Sequence, residues 1–169
     1  MKSRNKYILF LTAVVLIIGA MQAGLTSLTE NIYVQSTISE SVTVVLDAGH
    51  GGLDSGCVGE NGTLEKDINL LIAKKLKILL ESADMNVIMI RTEDRGLYDE
   101  NSSNKKRQDM NSRALLMNEA NADCVISIHQ NSFPTPSVNG PQTFYYKDSE
   151  ASATMAQVIQ NALNQYLNP

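Results

Sequence analysis

The chain has 169 residues, 43% of them apolar and 19% charged, which describes one globular domain with a real core and excludes a disordered chain or two ordinary domains. Lys2, Arg4 and Lys6 precede the first acidic residue, Glu30, so the chain after residue 24 carries eleven basic and eighteen acidic groups, a net of -7. So acidic a domain lacks the basic footprint of a nucleic-acid binder, and no nucleic-acid partner is expected.

Residues 1–24 join three basic residues to "YILFLTAVVLIIGAMQAG", an apolar run without a charge. Its length lies between a secretory h-region and a membrane-spanning helix, so it reads as a signal peptide or an uncleaved membrane anchor. Either role exports the domain beyond the cytoplasmic membrane. Residues 25–41, rich in Ser and Thr, read as a tether with a reach of about 60 Å when extended, which keeps the substrate near the membrane surface.

From Val42 onward strands and helices alternate. Nearly continuous apolar runs predict strands at 42–46, 86–90 and 124–128, and "QTFYY" predicts a fourth at 142–146. Helical periodicity predicts helices over 66–82 (Ile68, Leu71, Ile72, Leu76 and Leu79 on one face, Thr63 as cap), 107–120 (Met110, Ala114, Met117) and 150–167 (Ser152, Ala156, Ile159, Leu163, Tyr166). This order predicts a single α/β domain over 42–169, with a mainly parallel, twisted sheet and helices on both faces.

Open α/β sheets place their chemistry at the carboxyl ends of the strands. The only two histidines obey that rule: His50 follows the first strand in "LDAGHGGLDSG", and His129 ends the third. Phosphate-binding and serine-hydrolase readings fail, since "GHGGLDSG" lacks the third glycine of GxGxxG, and neither GxxxxGK[ST] nor GxSxG occurs. HExxH is absent too, and Leu53 stands where an HxxE pattern needs its glutamate. Two imidazoles at one edge suit zinc, which in catalytic sites takes three protein ligands and leaves one position open. Glu65, opening the first helix, is the leading third ligand; Asp54 and Glu60 are rivals in the glycine-rich loop. Cys57 and Cys124 are expected to stay free: Cys124 starts a strand whose far end, ~16 Å away, is the functional edge near Cys57, and a bridge needs Cα atoms within about 7 Å.

Three blocks, "LDAGHGGLDSG", "GTLEKDINLLIAKKL" and "RALLMNEANADCVISIHQNS", resemble the zinc-dependent N-acetylmuramoyl-L-alanine amidases of bacterial cell-wall hydrolysis. The resemblance runs from Val42 to about Leu167 and implies that His50, Glu65 and His129 bind one zinc ion. It implies hydrolysis of the amide between N-acetylmuramic acid and L-alanine. The short anchor without wall-binding repeats is most similar to the sporulation branch, whose members act in spore-cortex maturation. Asn131, two residues beyond His129, either holds substrate or a ligand, or stabilises the turn. The expected partners are peptidoglycan, the membrane through the N-terminal segment, and an activating protein. The sequence departs from the family at one point: the glutamate that serves as general base, in a segment like "VEVGFLSN", has no counterpart here, and Asp148 and Glu150 do not match it. The expectation is a domain cut short at its C-terminus, with its base beyond Pro169. The alternatives are a non-catalytic, zinc-containing module that binds peptidoglycan or regulates, and a zinc deacetylase of the same polysaccharide.

Overall fold

The computed structural model describes residues 41–132, 135 and 139–167. The expected export segment (1–24) and, but for Ser41, the expected tether (25–41) lie outside them. Among the described residues no helix is long and apolar enough to cross a membrane. The elements run β1 (Thr43–Ala48), α1 (Glu65–Glu81), β2 (Asn86–Met89), α2 (Lys105–Glu119), β3 (Cys124–Ile128) and α3 (Glu150–Leu167).

The three strands form a parallel sheet in the order β2-β1-β3. Central β1 is buried on both faces from Val44 to Ala48, which explains its unbroken apolar sequence. Register pairs Val44 with Val87 and Cys124, and Asp47 with Ser127. Because side chains alternate along a strand, Val44 and Asp47 point to opposite faces. Arg113 of α2 reaches Asp47 on one face, while Met155 of α3 meets Cys124, the neighbour of Val44, on the other. Helices therefore lie on both faces, as the alternation of elements implied, although Ile88 and Val125 on the Asp47 face stay exposed.

Five expectations need correction. The stretch 142–146 is not a strand. Its backbone is held by a side chain, with the Thr143 N–H donating to Gln160 Oε1 at 2.7 Å, while Phe144, Tyr145 and Tyr146 are exposed. Strand propensity describes a pleated, half-buried surface, and no neighbouring strand among the described residues supplies one. Thr63 does not cap α1. The cap position is Leu64, without a side-chain bond, and the first N–H groups are met by the preceding loop: Glu65 N donates to Cys57 O at 2.9 Å and Lys66 N to Ser55 O at 3.1 Å. The buried face of α1 is also displaced. It carries Glu65, Lys66, Asn69 and Ala73, whereas Leu71, Ile72 and Leu79 are exposed. In α2 the buried residue is Arg113, and Met110 is exposed. In α3 the expected stripe holds at Ala156, but Tyr166 is exposed. Both cysteines are free, as expected.

The core leans on β1. Leu46→Ala, at a fully buried position, should cost about 2–5 kcal/mol in urea unfolding. Leu79→Ala, at an exposed position, should stay within about 0.5 kcal/mol.

Candidate metal centre

Beyond β1 the chain must turn sharply while keeping its backbone groups satisfied. Gly49 N donates to Ile128 O at 3.0 Å, which ties the turn to β3. Two buried arginines take the carbonyls. Arg91 donates to Ala48 O (2.7 Å), Gly49 O (3.0 Å) and Lys66 O (2.7 Å). Arg113 donates to Ala48 O (3.0 Å) and His50 O (2.6 Å). Asp47 and Asp109 balance the Arg113 charge. Although burial disfavours that charge, the two carboxylates more than compensate and raise the pKa of Arg113; burial, with Arg113 alongside, lowers that of Arg91. So held, His50 adopts φ 63°, a left-handed conformation uncommon outside glycine.

That conformation carries the imidazole towards the start of α1. His50 Nε2 lies 3.1 Å from Glu65 Oε1, and His129 Nδ1, arriving from the end of β3, lies 3.0 Å from the same oxygen. The imidazole planes are nearly perpendicular, at 82°, with centroids 4.8 Å apart. Each of the three residues offers a donor atom within 4.8 Å of the others. Glu65 is 3% exposed and His129 half exposed, so the cluster is rigid behind and open to solvent in front.

Burial works against ionisation of Glu65, yet the N–H groups of Cys57 (2.8 Å) and Gln130 (2.9 Å), the Asn69 amide (3.3 Å) and His129 outweigh it and bring its pKa to about 2. The result is a permanent anion beside two imidazoles, a donor set that fits a metal ion of intermediate softness. Two glycines make room for it. A Cβ on Gly49 would collide with the His129 ring, and one on Gly56 (φ 64°) would lie 2.6 Å from both Glu65 Oε2 and His50 Cδ2.

The rival carboxylates fall elsewhere. Asp54 lies behind His50, 3.1 Å from Nδ1, and Glu60 is exposed in the loop. Asn131 is exposed and donates to Gln142 Oε1 at 3.1 Å. Sequence reasoning missed Arg91, Asn69 and Gln130. Asn69 had a signal, standing one helical turn beyond Glu65 on the same face. Gln130 acts through its backbone N–H, and Arg91 through carbonyls remote in sequence, so neither carried one.

Residues 44–169 match the family model described as N-acetylmuramoyl-L-alanine amidase. The chain belongs to that family. It is 37% identical over 127 residues to a germination-specific N-acetylmuramoyl-L-alanine amidase of Bacillus subtilis, covering 73% of this chain and 53% of that protein. It is 32% identical over 123 residues to the amidase AmiA of Escherichia coli, covering 72% and 38%. The CwlD amidase of Clostridioides difficile, solved in complex with the GerS lipoprotein, superimposes with a TM-score of 0.71 at 38% identity, over 74% of this chain and 66% of that one. The chain thus spans about half the length of the Bacillus relative and less of the Escherichia one.

Two predictions follow from the geometry. Gly49→Ala should push the His129 ring aside and weaken metal binding by about tenfold or more, as read by chelator competition. Glu65 also sets an acid limb. Its folded pKa is about 2 against an ordinary 4.5, so the stability it contributes is complete above about pH 4.5 and is lost as pH falls towards 2. In metal-free protein, Glu65→Gln should flatten the pH dependence of unfolding in that window.

Proposed function

We propose that the protein is a zinc-dependent hydrolase of the amide bond between N-acetylmuramic acid and L-alanine in peptidoglycan. The observation that carries this reading is the convergence of His50, Glu65 and His129 on one point in a chain of the amidase family. Two neutral nitrogens and one carboxylate oxygen are the ligand set of a catalytic zinc with an open position. Zinc held there would supply carbonyl polarisation and a bound water with a pKa near 7.

The chain's own residues would hold the ion and meet the substrate. Glu65, held as an anion by Cys57 and Gln130, balances part of the ion's charge. The half-exposed His129 ring forms the solvent side, where an extended glycan-linked peptide has room to approach. We assign Asn131 to substrate binding on that side, since its exposed amide, now on Gln142, can exchange that partner for a substrate carbonyl. We assign the general base to no residue of this chain.

The germination-specific and CwlD relatives support a setting in the spore cortex, outside the cytoplasmic membrane. The lipoprotein in the CwlD complex supports an activating protein partner for this chain as well. Residues 1–24 are the proposed means of export or anchoring.

Elemental analysis of the purified protein should find close to one zinc per chain. His50→Ala, His129→Ala and Glu65→Ala should each lower zinc affinity by more than the roughly 10–100-fold that loss of a supporting residue costs; Glu60→Ala should change it little. With peptidoglycan as substrate, new L-alanine amino termini support the amidase and free acetate would instead indicate a deacetylase. Equal zinc content in wild type and all three ligand variants would remove the assignment.

A further inference from the structure

Asp54 presents a carboxylate close to the cluster yet on the wrong side of His50 to share its ion. Its Oδ2 lies 3.1 Å from His50 Nδ1, whereas His50 Nε2 is the nitrogen that faces Glu65. The Asp54 side chain is fixed from two directions. Its Oδ1 accepts the Gly56 N–H at 3.2 Å, and Lys106 Nζ lies 3.6 Å from Oδ2. Its backbone is locked to Gly51 by paired bonds of 2.9 and 3.2 Å, which close the tight turn directly after the strained His50. An ionised carboxylate can only accept a hydrogen bond. An ionised Asp54 accepts the Nδ1–H of His50 when Nε2 gives its lone pair to a cation between the three donors; without a cation, Glu65 Oε1, 3.1 Å from Nε2, competes for the proton. His129 is positioned differently: its ring rests on the bare backbone of Gly49, and its Nδ1 is the nitrogen that faces Glu65.

We propose that Asp54 is a positioning residue of the metal site, holding His50 as the Nδ1–H tautomer so that Nε2 is offered to the cation beside Glu65 and His129. This rests on the zinc reading above, and it gives Asp54 a role distinct from that of the three ligands. Lys106 is three-quarters exposed and serves Asp54 only as a screened surface partner.

The test uses the whole chain and two readouts. Long-range proton–nitrogen NMR on the zinc-loaded protein reports which nitrogen of each histidine carries the proton and which faces the ion. Zinc affinity comes from chelator competition. Wild type should show His50 as Nδ1–H. Asp54→Ala should expose the His50 Nδ1–H to exchange with water and weaken zinc about 10–100-fold, leaving the His129 signals in place. Asp54→Asn, which keeps an acceptor oxygen, should retain the wild-type tautomer and lose less affinity than Asp54→Ala. Lys106→Ala should leave both readouts within about twofold of wild type. An Nε2–H form of His50 in wild type overturns the proposal whatever the variants do. So does a zinc loss in Lys106→Ala equal to that in Asp54→Ala, because the effect would then belong to loop docking. Failure of wild type to bind zinc overturns the metal reading itself, whereas zinc bound through His50 Nδ1 overturns only the role of Asp54.

Discussion

A carboxylate with 3% exposure governs this site. Removing an ion from water costs several kcal/mol unless geometry and hydrogen bonds compensate. Glu65 finds its compensation in two backbone N–H groups, one amide and two imidazoles. These partners come from the loop after β1, from α1 itself and from the end of β3. One side chain thus requires that three separate segments arrive in register. The glycine-rich loop serves that requirement by letting the histidines and the glutamate approach where any Cβ would intrude.

The strand end that delivers His50 is equally constrained. Its three successive carbonyls, from Ala48 to His50, are all taken by the guanidinium groups of Arg91 and Arg113, helped by Asn69. A buried arginine has five donors in a fixed fork, so it sets direction as well as neutralising charge. That clamp sustains φ 63° at His50, a conformation that local propensity would not select. Strain at the carboxyl edge of the sheet is thereby held by its interior. The same logic explains why α1 and α2 bury polar residues: their inner faces are occupied with building the site.

The frame was legible because β1, β2 and β3 are written as apolar runs, although only central β1 is covered on both faces, and Ile88 and Val125 of the flanking strands are exposed. The two histidines were legible because only two exist and topology sends both to one edge. The helical faces were less so. The apolar stripe on α1 suggested Leu71, Ile72 and Leu79 as core, yet Glu65, Asn69 and Ala73 face inward because Glu65 meets both imidazoles there. Thr63 looked like a cap by type, but the carbonyls of Cys57 and Ser55 already meet the helix start. The aromatic run at 142–146 has strand composition without a strand partner among the described residues. Composition cannot report which backbone lies alongside.

Two imidazoles and a carboxylate, and no thiolate, are proposed to hold one zinc ion at this edge. X-ray absorption at the zinc edge on the zinc-loaded protein tests it most directly. The account predicts a first shell of nitrogen and oxygen at about 2.0–2.2 Å, with the multiple scattering of two imidazole rings. A sulfur shell at about 2.3 Å would bring in Cys57, which follows Gly56 in the same loop, and would contradict the assignment of Glu65 as the third ligand.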